Sequence, residues 1–233
     1  WKEANRFSDR QTLAPDFPGF GAHPAAAPNL DDFADAVAEA MDNAAISRAV
    51  LVGLSMGGYV AFRFHARYPE RVAGLVLADT RAGADTAEAA AKRTAQAERA
   101  RREGIAWLAD EMLPNLLGTT SRNERPHLVE AIRRVMDSAS AEGVAQALIA
   151  MRERPDSTPA LPSIDVPVLA LAGAEDAITP PSEARLIADR TPRGRLAEIP
   201  RAGHLSALEN PEAFTAVLRD FIASVDARNG VPG

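Results

Sequence analysis

A chain of 233 residues can bury one substantial core, with room for a modest inserted subdomain. Its net charge of -6, from 26 basic and 32 acidic residues, argues against nucleic acid as the main partner, because phosphate binding needs clustered Lys and Arg. The lack of cysteine excludes disulfides, thiolate metal sites and a Cys nucleophile, and suits a reducing cytoplasm.

No apolar run approaches the roughly 20 residues that span a bilayer, so no membrane partner is expected. The start, Trp1 to Arg6, has no signal-peptide apolar region and no initiating Met, which reads as a trimmed chain or a fragment. The basic run Arg99 to Arg102 is bordered by Glu98 and Glu103 and reads as a solvated helix face.

In chain order, Gln11 to Ala14 reads as a strand that ends in the turn-formers Pro15-Asp16-Phe17-Pro18-Gly19. The short alanine run Ala25–Ala27 follows. Leu30, Phe33, Ala34, Val37 and Ala40 then fall at helical spacing, with Asn29 available as N-cap. Ala49 to Val52 is a continuous apolar strand, as a sheet covered on both faces requires. A helix over Tyr59–Tyr68, closed by Pro69, leads to a second buried strand over Val72–Ala78. Strand, helix, strand at this spacing predicts a parallel sheet.

Residues 81 to 154 hold no convincing strand. Helices are predicted near 85–102, 105–113, 125–137 and 142–152, and the prolines of 155–162 read as a linker back to the core. The alternation then resumes, with a strand over 166–172, a helix over 182–190, a short strand over 196–199 and a closing helix over 211–225. The expected organisation is a first core part at 1–80, a helical cap at 81–160 and a second core part at 161–233. A helical insertion within such a sheet usually roofs a binding site.

The strongest chemical signal is Gly53-Leu54-Ser55-Met56-Gly57, between the predicted strand at 49–52 and the helix that follows. A G-x-S-x-G sequence in a strand–turn–helix setting projects a serine hydroxyl above the sheet. The N–H of Met56 would donate to an oxyanion formed during acyl transfer. A serine needs a base to remove its proton. His204, preceded by Gly203 on a loop after the 196–199 strand, is the best placed; His23, His65 and His127 suit structural or surface roles. The orienting acid is expected to be Asp176, after the 166–172 strand, with Glu175 and Asp79 as rivals.

These segments resemble the α/β-hydrolase superfamily. Residues 15–21 resemble the turn after its fourth strand, the Ser55 motif its nucleophile elbow, and Tyr68-Pro69-Glu70-Arg71-Val72 the entry to its next strand. Gly173 to Asp176 resemble its acid loop, and Gly203-His204 with Glu209-Asn210-Pro211 its histidine loop. The resemblance implies an α/β fold with a doubly wound, mostly parallel sheet and a helical cap. It also implies a triad of Ser55, Asp176 and His204. Within the superfamily the chain is similar to small bacterial esterases, enol-lactone hydrolases and cofactor-free haloperoxidases.

The implied activity is hydrolysis of small to medium esters or lactones through an acyl-enzyme, with no metal or organic cofactor. A haloperoxidase or perhydrolase using the same triad, and a non-catalytic binding module, are the alternatives. Trp107, Met112, Leu113 and Leu116 are the apolar candidates for a substrate pocket. The family normally carries three strands and a second oxyanion donor before the position of Gln11, where about ten residues stand here. A complementing amino-terminal fragment, a segment swapped within a homo-oligomer, or a truncated protein of low activity would each account for this.

Overall fold

The computed structural model describes residues 7, 9–21, 23 and 29–229. The starting run at 1–6 and the alanine run at 25–27 lie outside the described residues.

Among the described residues four strands, β1 (Ala49–Leu54), β2 (Val72–Ala78), β3 (Val168–Gly173) and β4 (Gly194–Ile199), pair in that order in one sheet, every pair parallel. Helix α1 (Leu30–Asn43) precedes the sheet, and α2 (Met56–Arg67) crosses from β1 to β2. Five helices, α3 (Ala87–Glu103), α4 (Leu108–Leu116), α5 (Thr119–Glu124), α6 (Pro126–Asp137) and α7 (Ala141–Arg152), separate β2 from β3. Helix α8 (Pro181–Arg190) crosses from β3 to β4, and α9 (Ser206–Glu209) and α10 (Pro211–Asn229) close the chain.

The side-chain period of two explains why both central strands are uninterrupted apolar runs. Leu75 and Leu77 of β2, with Val168 and Ala170 of β3, enter a core shared with Phe33 and Met41 of α1, Phe64 of α2 and Ile187 of α8. The intervening Val76, Leu169 and Leu171 enter a second core with Phe214, Leu218 and Phe221 of α10. Helices therefore cover both faces. Side chains such as Phe33, Phe64 and Phe221 are buried, each contributing roughly 1.5–3 kcal/mol of apolar burial.

Local signals set the helix ends. Asn29 Oδ1 accepts the Asp32 N–H at 2.9 Å, capping α1 as its sequence position predicts. Within the insertion, Ala97 and Ala100 of α3 pack against Val144, Ala145 and Leu148 of α7, where small residues let the two helices approach closely. Its two ends are joined by a buried ion pair. Arg154 Nη1 donates to Asp85 Oδ1 at 2.7 Å and Nη2 to the Gly83 carbonyl at 3.0 Å.

The structure corrects several sequence expectations. Gln11–Ala14 forms no strand: all four residues are exposed, and no neighbouring strand among the described residues offers them a hydrogen-bond ladder. Helix α2 starts at Met56, not Tyr59, because the turn at Ser55 leads straight into it. The predicted linker contains a 3₁₀ helix at Thr158–Ser163 that buries Leu161. Helices α5 and α9 have six and four residues, too short for a readable period.

Candidate active site

Because all four strands run the same way, the residues that leave their carboxyl ends gather at one edge of the sheet. Ser55 follows β1, Asp79 follows β2, Asp176 lies beyond β3 and His204 beyond β4. Ser55 has φ +53° and ψ −117°, a conformation that strains a residue bearing a Cβ by about 1–3 kcal/mol. The turn closes so tightly that a Cβ on Gly53 would stand 2.2 Å from the Gly57 carbonyl oxygen. A Cβ on Gly57 would meet nothing within 4 Å, so the steric demand falls on Gly53. The Ser55 N–H donates to the Ala78 carbonyl at 2.9 Å, and the Thr80 hydroxyl donates to the Ser55 carbonyl at 2.9 Å. Met56 is the first residue of α2, where backbone N–H groups have no intrahelical acceptor.

Ser55 Oγ lies 2.7 Å from His204 Nε2, and His204 Nδ1 lies 2.9 Å from Asp176 Oδ2. An ionised carboxylate can only accept, so Nδ1 carries the imidazole proton and Nε2 is left to accept from the serine hydroxyl. Asp176 is buried, and Oδ1 accepts the N–H groups of Ile178 and Thr179 at 2.8 and 2.9 Å. The Thr179 hydroxyl donates to Oδ2 at 2.7 Å. Burial pushes the Asp176 carboxyl up, but the His204 and Thr179 hydrogen bonds and the imidazole charge outweigh it and hold it below the ordinary range. Thr179 was not anticipated, although a threonine three residues after an acid is a recognisable local-bonding pattern.

The rivals stand elsewhere. Glu175 turns toward the insertion, accepting the Thr120 N–H at 2.8 Å and its hydroxyl at 2.5 Å. Asp79 is buried beneath the site, where it accepts the Gly173 N–H at 2.8 Å and the Ser206 hydroxyl at 2.5 Å. His65 is half-buried in α2, His127 is exposed in α6, and His23 lies in the bend before α1.

Burial raises the Asp79 carboxyl to about 7, against the pull of its Ser206 and Gly173 donors. A carboxyl whose folded value lies above its unfolded one favours the fold while protonated and loses that contribution as pH rises from about 4 to 7. Denaturant unfolding between pH 4.5 and 7.5 is therefore expected to show a flatter stability profile for Asp79→Asn than for wild type. An unchanged slope would contradict it.

The four pocket candidates divide. Trp107 and Met112 pack on the α3–α7 core, and Leu113 is buried with Ala109, Leu117 and Ile132. Trp107 Nε1 also donates to the Gly104 carbonyl at 2.8 Å, beneath the Arg99 guanidinium. The Leu116 carbonyl accepts the His204 N–H at 3.1 Å, and Leu205, next to His204, packs against the cluster that holds Leu113. Among the described residues, no three His, Asp or Glu side chains are grouped to hold a metal ion, and no helix is long and apolar enough to cross a membrane.

A serine, an imidazole and a carboxylate joined at the carboxyl edge of a parallel sheet make an arrangement able to perform acyl transfer. Comparison with known proteins agrees with the fold. Residues 1–217 match the alpha/beta hydrolase family. The chain is 42% identical to a thermophilic esterase from Thermogutta terrifontis, covering 91% of this chain and 79% of that one, with a TM-score of 0.88. It is 29% identical to 3-oxoadipate enol-lactonase 2 of Acinetobacter baylyi, over 87% of this chain and 76% of that protein. It is 34% identical to a pimeloyl-[acyl-carrier protein] methyl ester esterase of Neisseria meningitidis, over 91% of this chain and 68% of that protein. The chain belongs to the alpha/beta hydrolase family.

Proposed function

We propose that this protein hydrolyses carboxylic esters of small to medium size, lactones included, through an acyl-enzyme on Ser55. The observation that carries the reading is the continuous chain from Ser55 Oγ through His204 to Asp176, with links of 2.7 and 2.9 Å. His204 Nε2 takes the hydroxyl proton as Ser55 Oγ bonds to the ester carbonyl carbon. Asp176 stabilises the imidazolium, and the Met56 N–H donates to the tetrahedral oxyanion. His204 then protonates the departing alcohol. Water, deprotonated by the same imidazole, releases the acid and restores the serine.

In this reading residues 81–160 act as a cap over the site, and of the four apolar candidates for its lining Leu113 and Leu116 are the two tied to the histidine loop. The esterase, methyl ester esterase and enol-lactonase relatives support an ester or lactone substrate. Treatment with a fluorophosphonate followed by peptide mass mapping tests the proposal. The adduct is expected on the peptide that contains Ser55. Folded protein that stays unlabelled would overturn it and favour a non-catalytic binding module.

A further inference from the structure

Glu209 is buried, lies outside the serine–imidazole–aspartate chain, and is occupied by backbone groups. Its Oε1 accepts the N–H of Gly203 at 2.9 Å and that of Leu205 at 3.1 Å, the two residues that flank His204. Its Oε2 accepts the N–H of Gly118, from the insertion, at 2.8 Å. The N–H of His204 itself donates to the Leu116 carbonyl. Three successive amides of the histidine loop are thus held alternately by Glu209 and by the last residue of α4.

The two backbones also touch. A Cβ on Gly203 would stand 2.2 Å from the Gly118 nitrogen, and one on Gly118 would stand 2.8 Å from the Gly203 nitrogen. Neither segment can shift without moving the other, because packed interiors of this kind leave no slack. Both carboxyl oxygens are engaged, one by the histidine loop and the other by the insertion, so the brace is bonded as well as close.

We infer that Glu209 is a positioning residue: it clamps the histidine loop to residues 116–118 of the insertion and thereby sets the imidazole of His204 against Ser55. The insertion is then a structural partner of the general base as well as a roof. This rests on the proposed role of His204, and a displacement of about 1 Å at such a group can cost on the order of 100-fold in rate.

Two variants test it. Glu209→Gln keeps the shape but turns an amide N–H toward the Gly118 N–H, breaking the link to the insertion. Gly118→Ala keeps the Glu209 carboxylate, and its Cβ, which would stand 2.6 Å from Glu175 Oε2 and 2.8 Å from the Gly203 nitrogen, forces the two backbones apart while displacing the Glu175 side chain. With p-nitrophenyl acetate, each is expected to lower kcat by about 10- to 100-fold with KM within threefold of wild type, at unchanged folded fraction by circular dichroism. A variant whose kcat per folded molecule lies less than about tenfold below wild type would overturn the inference. Should Glu209→Gln not fold, Gly118→Ala decides alone. Fluorophosphonate labelling of the wild-type protein tests the Ser55–His204 reading separately, so the two failures are distinguishable.

Discussion

Ser55→Ala and His204→Ala are each expected to lower kcat for a short p-nitrophenyl ester by about 10⁵- to 10⁶-fold, and the double variant should be no slower than the worse single one. The two side chains share one proton across 2.7 Å, so removing either leaves the other without a task. What survives is catalysis by binding and by the oxyanion donor, on the order of 10³–10⁴ over water. The folds should persist. Alanine meets the same backbone strain at φ +53° as serine does, and after loss of the imidazole Asp176 keeps its donors from Ile178 and Thr179. Steady-state kinetics with thermal melting of all three variants provides the check. Losses that multiply would mean that the two residues act independently.

Asp176→Asn should cost about 10⁴-fold in kcat/KM at neutral pH, with little change in melting temperature. An asparagine amide can present an N–H to His204 Nδ1 and so favours the tautomer with its proton on Nε2, which cannot accept from Ser55. Neither rival can take over without rebuilding. Glu175 is engaged by Thr120, and Asp79 is engaged by Ser206 and Gly173. The inactivation rate by a fluorophosphonate, read beside ester turnover, measures the same proton transfer without product release. A loss of less than tenfold would show that another carboxylate supplies the charge.

Much of this is legible in the sequence. The strands read at 72–78 and 166–172 are apolar runs set between helical periods, and burial on both faces leaves such runs little ambiguity, whereas β4 carries Arg195 and Glu198 and is readable only over 196–199. Ser55 and His204 were readable because a strand–turn–helix with Gly53 admits few alternatives, and because one histidine of four follows a strand with a glycine before it. The sequence favours Asp176 over Glu175 but leaves the neighbour as a rival, since adjacent acids on a loop differ in direction and not in type; Asp176 faces His204 and Glu175 faces Thr120. Gln11–Ala14 misled because a strand needs a neighbour, which no local pattern reports. Glu209 is legible as part of the histidine-loop motif, but what it binds is not, for the converse reason. A glutamate before Asn210 and Pro211 resembles an ordinary helix start, and its three backbone donors come from residues 118, 203 and 205.

The long helical excursion between β2 and β3 also bears on how the molecule can change over time. Those strands are neighbours, yet about ninety residues separate them, so joining them carries a closure entropy near 4 kcal/mol that grows only about 0.6 kcal/mol for each doubling of length. Lengthening or exchanging most of that excursion is therefore thermodynamically mild. The stretch around Gly118 is the exception, because it abuts the loop that carries the imidazole. Substrate range can diversify through the remainder of the excursion while that short stretch stays fixed.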